Sequence, residues 1–182
     1  MNLLIDTHLN DVIILLLKDN KIIKEKRIYN EQQNSKFIMP TVKKILNKQK
    51  PDNILVVNGP GSFTGVRLGV TVAKTLAHTL NVPIKTITSL ECLAVSIDDS
   101  EKIVGFSDNN GYYIGIFTQD NKLIGEYEYL SNKEYDDFSG KYRVITNINV
   151  DYEKICEFLE SRNETIDHEV NPIYIKKLDV EK

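Results

Sequence analysis

Apolar and polar positions follow two rhythms along this chain, and the rhythm changes mark its elements. From Leu3 to Glu25 the pattern is that of short strands. LLID at 3–6 is followed by a polar turn, VIILLL at 12–17 and DNKIIKE at 19–25. Strand, aspartate-bearing turn, strand, Asp-Asn-Lys turn and strand make a three-stranded antiparallel meander of two hairpins. The same order returns later: IVGFSD at 103–108, NNG, YYIGIF at 112–117 and DNKLIGE at 120–126. Asp6 aligns with Asp108 and Asp19 with Asp120, which indicates an internal duplication. Abundant Asn, Lys and Ile leave coincidence as the alternative.

Between the two copies the period becomes 3.6. Ser35–Lys50 places Ile38, Val42, Ile45 and Leu46 on one face, with Pro40 in the first turns and Pro51 as the stop. Ile54–Val57 predicts a strand, NGPGSFTG a tight loop, and Ser62–Leu80 a helix with Val66, Val70, Ala73, Ala77 and Leu80 along a stripe. Val82–Ile87 predicts another strand. Thr88 and Glu91 have capping-box spacing for a helix from Leu90 to Ile97. After the second meander, Tyr142–Thr146 predicts a strand and Asp151–Ser161 an amphipathic helix with Ile155, Phe158 and Leu159 inward. NPIYIKK at 171–177 predicts a short strand or docked extension. The order is a βββαβα half followed by a shorter one, an actin-like duplicated α/β architecture, with a soft boundary near Ser96–Lys102. The expected domains are residues 1–98 and 99–182.

Composition narrows the class. A chain of 182 residues buries roughly 70% of its unfolded surface and needs no disulfide or metal to hold together. Hydrophobic residues at 41%, charged residues at 27% and a net charge of −3 describe a soluble domain and argue against a dedicated nucleic-acid binder. Lysine outnumbers arginine 19 to 4, so bidentate phosphate or base readers are scarce. Cys92 and Cys156 have no CxxC partner, which fits a reducing compartment. No apolar run reaches membrane-spanning length, and no signal peptide is expected, so the location predicted is cytoplasmic.

The densest chemical signal is Asn58-Gly59-Pro60-Gly61-Ser62-Phe63-Thr64-Gly65-Val66-Arg67, which joins a strand to a helix. It reads either as a structural turn or as an anion site at a helix start. The Walker pattern is missing, because no Lys-Ser or Lys-Thr follows Gly65. Asp6 and Thr7 stand where an actin-like kinase carries its first phosphate hairpin, but His8, Leu9 and Asn10 follow instead of small residues. A degenerate nucleotide site would comprise Asp6, Thr7, Gly59 and Gly61. Asp108-Asn109-Asn110-Gly111 reads as a hairpin turn. His8, His78 and His168 are scattered, so no metal site is expected. Cys92 in an apolar run reads as an inert thiol, Tyr112 and Tyr113 as packing residues, and Lys43, Lys44, Lys48 and Lys50 as a solvated helix face.

The segment GPGSFTGVRLGVTVAKTLAHTLNVPIKTITSL closely resembles the signature of the bacterial TsaB (YeaZ) family. LLIDT at the start, SKFIMP at 35–40, Thr88-Ser89-Leu90, the turn at Asp108 and Pro172-Ile173-Tyr174 extend the resemblance over most of the chain. It fades from Gly125 to Val170, where the second lobe is shortened relative to the family. The resemblance implies an actin-like ASKHA (ribonuclease H-like) fold. It further implies a non-catalytic scaffold or activator subunit in the formation of N6-threonylcarbamoyladenosine at position 37 of tRNA, paired with a TsaD-type catalytic subunit.

A TsaE-type ATPase and a TsaC-type synthase complete that pathway. Contact with tRNA would be indirect, and a homodimer would form without the partner. No resident cofactor is implied, with ATP or ADP only at the subunit junction. Pairing in the family uses the two amino-terminal helices, which places Ile38, Val42, Ile45, Phe63, Thr64, Gly65, Arg67, Gly69, Ala73 and Leu76 as partner-binding candidates. Ala73→Trp or Gly69→Trp would then block pairing and leave the monomer folded. The competing readings are a nucleotide-binding ASKHA kinase or ATPase acting on a small molecule, a peptidase, and a stand-alone tRNA-binding module.

Overall fold

Each apolar run of the first meander becomes a strand: β1 (Asn2–Asp6), β2 (Val12–Lys18) and β3 (Lys21–Ile28). The chain continues through α1 (Asn34–Leu46), β4 (Asn53–Val57), α2 (Phe63–Leu80), β5 (Ile84–Ile87) and α3 (Ser89–Val95). The second half contains β6 (Lys102–Ser107), β7 (Gly111–Phe117), β8 (Glu128–Ser131), α4 (Asn132–Ser139) and α5 (Tyr152–Glu160). These assignments come from a computed structural model that describes residues 1–9, 11–29, 34–165 and 169–176. Asn10, His168 and Lys177, each part of a motif considered above, lie outside the described residues.

The first sheet has the order β3-β2-β1-β4-β5, with β1 antiparallel to β2 and parallel to β4. Its central strands are apolar on both sides because both faces are covered. α1 and α2 bury Ile38, Val42, Val70 and Ala73 against Leu3, Ile5, Ile14 and Val56 on one face. α3 and α5 bury Cys92, Ile155 and Leu159 against Leu4, Leu15, Leu55 and Val57 on the other. Burial of a side chain such as Ile155 or Leu159 contributes about 1.5–3 kcal/mol. α5 comes from the second half of the chain, so residues 1–98 alone cover this second face with α3 only.

The second half repeats the first in shortened form. β6 pairs with β7, and β7 with β8, as in the first meander. Val104 and Ile145 form one parallel bridge beside β6, where β4 runs parallel to β1 in the first half. This duplicated α/β arrangement is the actin-like, ribonuclease H-like fold.

Several sequence expectations shift. α1 stops at Leu46 rather than at Pro51, because Asn47 and Lys48 turn left-handed (φ 46° and 67°), a conformation Asn adopts at low cost. Lys48 and Lys50 therefore lie beyond the helix. β5 begins two residues later than expected, and α3 ends before Ile97. The third strand of the second meander is β8, not 120–126. There Leu123 makes a single bridge to Phe117, and Gly125 (φ +75°) redirects the chain. Tyr142–Thr146 contributes only the Ile145 bridge. The capping box at Thr88 and Glu91 is present, as is the Asp151 cap that starts α5.

Candidate functional site

The glycine-rich loop leaves β4 and enters α2 under the first hairpin. Gly59 and Pro60 carbonyls accept from the Ser89 amide (2.9 Å) and hydroxyl (2.6 Å). The Ser62 amide donates to His8 O at 2.7 Å, and the Ser62 hydroxyl caps α2 by accepting from Gly65 N. At residues 171–174 the chain returns as the docked extension: Ile173 N donates to Asn58 O at 2.8 Å, and Arg67 Nε to Tyr174 Oη at 2.7 Å. A methyl group on Gly61 would lie 2.1 Å from His8 O, and one on Gly65 would lie 2.2 Å from Thr7 O. The glycines therefore bring the start of α2 against the β1–β2 turn. Sequence spacing left a turn and an anion site open, and close backbone approach is the use observed.

Asp6 and Thr7 are closed in by this contact. Asp6 is 2% exposed. Its Oδ1 accepts from His8 N (3.1 Å) and lies 2.6 Å from His8 Nδ1, which must donate to it. Its Oδ2 accepts from Tyr152 Oη at 2.7 Å, across 146 residues of sequence. Thr7 Oγ1 donates to Gly65 O at 2.7 Å. Burial would raise the Asp6 carboxyl. The charge of His8 and hydrogen bonds from His8 and Tyr152 outweigh it and hold the group below the ordinary carboxylate range. Burial, followed by the Asp6 charge, pushes the Tyr152 hydroxyl far up, so it stays a donor.

Removing the Tyr152 hydroxyl leaves Oδ2 buried and unpaired. Tyr152→Phe is expected to lose about 1–3 kcal/mol at pH 7, read as a lowered melting temperature. The folded pKa of Asp6 is depressed, so its stabilisation is complete above the unfolded value of about 3.9 and is lost as pH falls through the folded pKa. The difference between wild type and Tyr152→Phe should shrink below that pH.

Two adjoining cavities of about 370 and 380 Å³ flank this cluster and share His8, Leu9, Ile148 and Val150. Asp108 repeats the arrangement in the second half. Its Oδ1 accepts from Asn110 N, Gly111 N and Tyr129 Oη, and Oδ2 lies 3.2 Å from Lys176 Nζ. Both aspartates thus close a strand-end turn and take a tyrosine hydroxyl. Among the described residues no group of three His, Cys, Asp or Glu is arranged to hold a metal. Cys92 is buried, and burial pushes its thiol well above the ordinary range. Tyr113 packs on Phe106, and Tyr112 stacks on Tyr135.

The pairing candidates divide in two. Ile38, Val42, Ile45, Gly69, Ala73 and Leu76 are buried in this chain's own core. That corrects their assignment to a partner-facing surface: each lies on the sheet-facing side of its helix. Ala73 is fully buried, and a methyl group on Gly69 would lie 2.2 Å from Thr7 Oγ1. Tryptophan at either position would disrupt the monomer, contrary to expectation. Phe63, Thr64 and Arg67 are exposed, and Gly65 is half-buried. Arg67 stacks over the Phe63 ring, 3.6 Å from its centroid. The helix surface facing solvent is carried by Pro40 and Lys43 on α1 and by Thr64, Arg67, Thr71 and Thr75 on α2.

Sequence reasoning missed two features. The Asp6–His8 pairing has a local signal, since an Asp side chain readily bonds the backbone two residues on, but Tyr152 has none. The groove between β3 and α1, which holds the exposed Phe37, was also missed. An edge strand beside a helix leaves no mark in hydropathy.

Residues 23–106 match the family described as TsaD, tRNA N6-adenosine threonylcarbamoyltransferase. The chain is similar to the tRNA threonylcarbamoyladenosine biosynthesis protein TsaB of Bacillus subtilis, 38% identical over 130 residues, covering 67% of this chain and 57% of that one. It is also similar to TsaB of Buchnera aphidicola from Schizaphis graminum, 34% identical over 83 residues and 40% of each chain. The chain thus spans about half the length of the curated relatives it matches. The crystal structure of an uncharacterized Pseudomonas aeruginosa protein with similarity to peptidase YeaZ has the same fold, with a TM-score of 0.77 at 17% identity, covering 96% of this chain and 99% of that one. Signature segment, fold and relatives agree, and the chain belongs to the TsaB (YeaZ) family.

Proposed function

We propose that this chain works in N6-threonylcarbamoyladenosine formation at position 37 of tRNA as a non-catalytic subunit that pairs with a TsaD-type catalytic subunit. The observation that carries the reading is how the first hairpin is occupied. In a kinase of this fold that hairpin approaches phosphate. Here both Asp6 oxygens are taken by His8 and Tyr152, and Thr7 is bonded to Gly65. Names borne by the family's members supply the pathway.

The pairing surface is the outer side of α1 and α2, where Thr64, Arg67, Thr71 and Thr75 face solvent. A contact of helix pairs from two related subunits buries roughly 1,600 Å² in total. Without a partner the same surface joins two copies of this chain. The TsaE-type ATPase joins the assembled pair, nucleotide binds only at the subunit junction, and the complex works in the cytoplasm.

The test is mass-spectrometric detection of the modified adenosine in tRNA, with TsaC-, TsaD- and TsaE-type proteins present and this chain added or withheld. Product is expected only when the chain is added. Product formed equally without it would remove the subunit reading, and micromolar nucleotide binding by the isolated chain would then favour a kinase or ATPase.

A further inference from the structure

Charge is divided unevenly along the chain. Residues 21–50 hold nine of the 23 basic residues and two of the 26 acidic ones, Glu25 and Glu31. The fold gathers this excess at one place. β3 is the free edge of the first sheet, α1 packs along β2 and β3, and Lys24 Nζ donates to Ile45 O at 2.8 Å to tie the two together. All nine basic side chains are exposed. Lys21 pairs with Glu153 and Arg27 with Glu25. Lys26, Lys36, Lys43, Lys44, Lys48 and Lys50 remain.

Between β3 and α1 runs a groove with a cavity of about 640 Å³, in which Lys26 and Lys44 flank Phe37. It continues past Tyr29 into a second cavity of about 430 Å³. Phe37 is 44% exposed and Tyr29 65% exposed. Lysines spaced among exposed aromatic rings match the demands of a nucleic-acid strand, in which phosphates need point charges and bases need flat apolar faces. Protein interfaces, by contrast, are depleted in lysine. The single arginine here is engaged by Glu25, so base edges would not be read.

We infer that the β3–α1 edge is a contact surface for the phosphate backbone of RNA, which is tRNA on the functional reading above, on which the inference rests. The net charge of −3 hides this surface, because the rest of the chain carries fourteen basic and twenty-four acidic residues. Acidic surroundings confine an RNA strand to the basic edge. Contact through lysines makes binding independent of sequence and steeply dependent on salt.

The experiment measures labelled tRNA binding by fluorescence anisotropy over a range of salt, using the full chain assembled with its TsaD-type subunit. A Lys26→Gln, Lys44→Gln, Lys48→Gln triple variant is expected to bind about tenfold more weakly. The slope of log affinity against log salt should be shallower by about two, the value for three lost phosphate contacts. Lys122→Gln, Lys133→Gln, Lys141→Gln, on exposed lysines of the second half, should match wild type. An unchanged slope in the first variant overturns the inference. So does loss of its co-elution with the TsaD-type subunit, which would assign the edge to a protein partner. If wild type itself fails to co-elute, the functional reading fails separately, and the same slope difference measured on the chain alone decides the RNA contact.

Discussion

Gly65→Ala should destabilise the protein by about 3 kcal/mol or more, although glycine to alanine inside a helix ordinarily stabilises by about 1 kcal/mol. The sign reverses because the added methyl would lie 2.2 Å from the Thr7 carbonyl oxygen, a backbone atom of the β1–β2 turn. Relief would require α2 to lift from that turn. This would break the Thr7 Oγ1 to Gly65 O bond and the Ser62 N to His8 O bond. For a chain of this size the melting temperature should drop by roughly 10 °C. Thr75→Ala on the same helix is the control. Thr75 is exposed and its hydroxyl bonds back to Thr71 O, so its removal should be neutral or slightly stabilising. A Gly65→Ala protein as stable as wild type would show that the turn and α2 are not in contact.

Thr71→Trp should produce the largest functional change. Thr71 lies on the outer side of α2, away from the sheet. A bulky ring there leaves the core as it is and should not move the melting temperature by more than 1–2 °C. In the centre of a packed helix contact it would hold the two surfaces apart, at a cost of several kcal/mol of binding. Co-elution with a TsaD-type subunit should be lost, and modified adenosine in the reconstituted reaction should fall at least a hundredfold. Normal co-elution of the folded variant would move the interface elsewhere on the chain. The buried positions Gly69 and Ala73 cannot make this test, because a tryptophan there acts on folding first.

The architecture was largely legible in sequence. Alternating apolar runs, the 3.6-residue stripes and the capping box at Thr88 and Glu91 each place an element, because each is a local signal. Boundaries were misread where the deciding residue had no hydrophobic signature. Asn47 ended α1 by turning left-handed, and Gly125 redirected the chain ahead of β8. The site was legible in part. Asp6 and Thr7 were found from their place at a strand end, but the group that donates to the remaining Asp6 oxygen, Tyr152, is brought there by packing of α5. Faces of α2 could not be separated by small-residue spacing, since Gly69 and Ala73 serve close packing within the chain and would serve it equally well between chains. The basic edge escaped because net charge is an average, whereas adjacency of β3 and α1 comes from sheet order.

Return of α5 to the first sheet also sets when the molecule can become stable during synthesis. Until Ile155 and Leu159 have left the ribosome, one face of β1, β2 and β4 presents Leu4, Leu15 and Leu55 with only α3 to cover them. At about 5–20 residues per second, the wait between completion of β5 and arrival of α5 lasts several seconds. Chaperones that bind exposed apolar strands have that interval in which to act. A nascent chain stalled near residue 100 should be captured by them far more readily than the released protein.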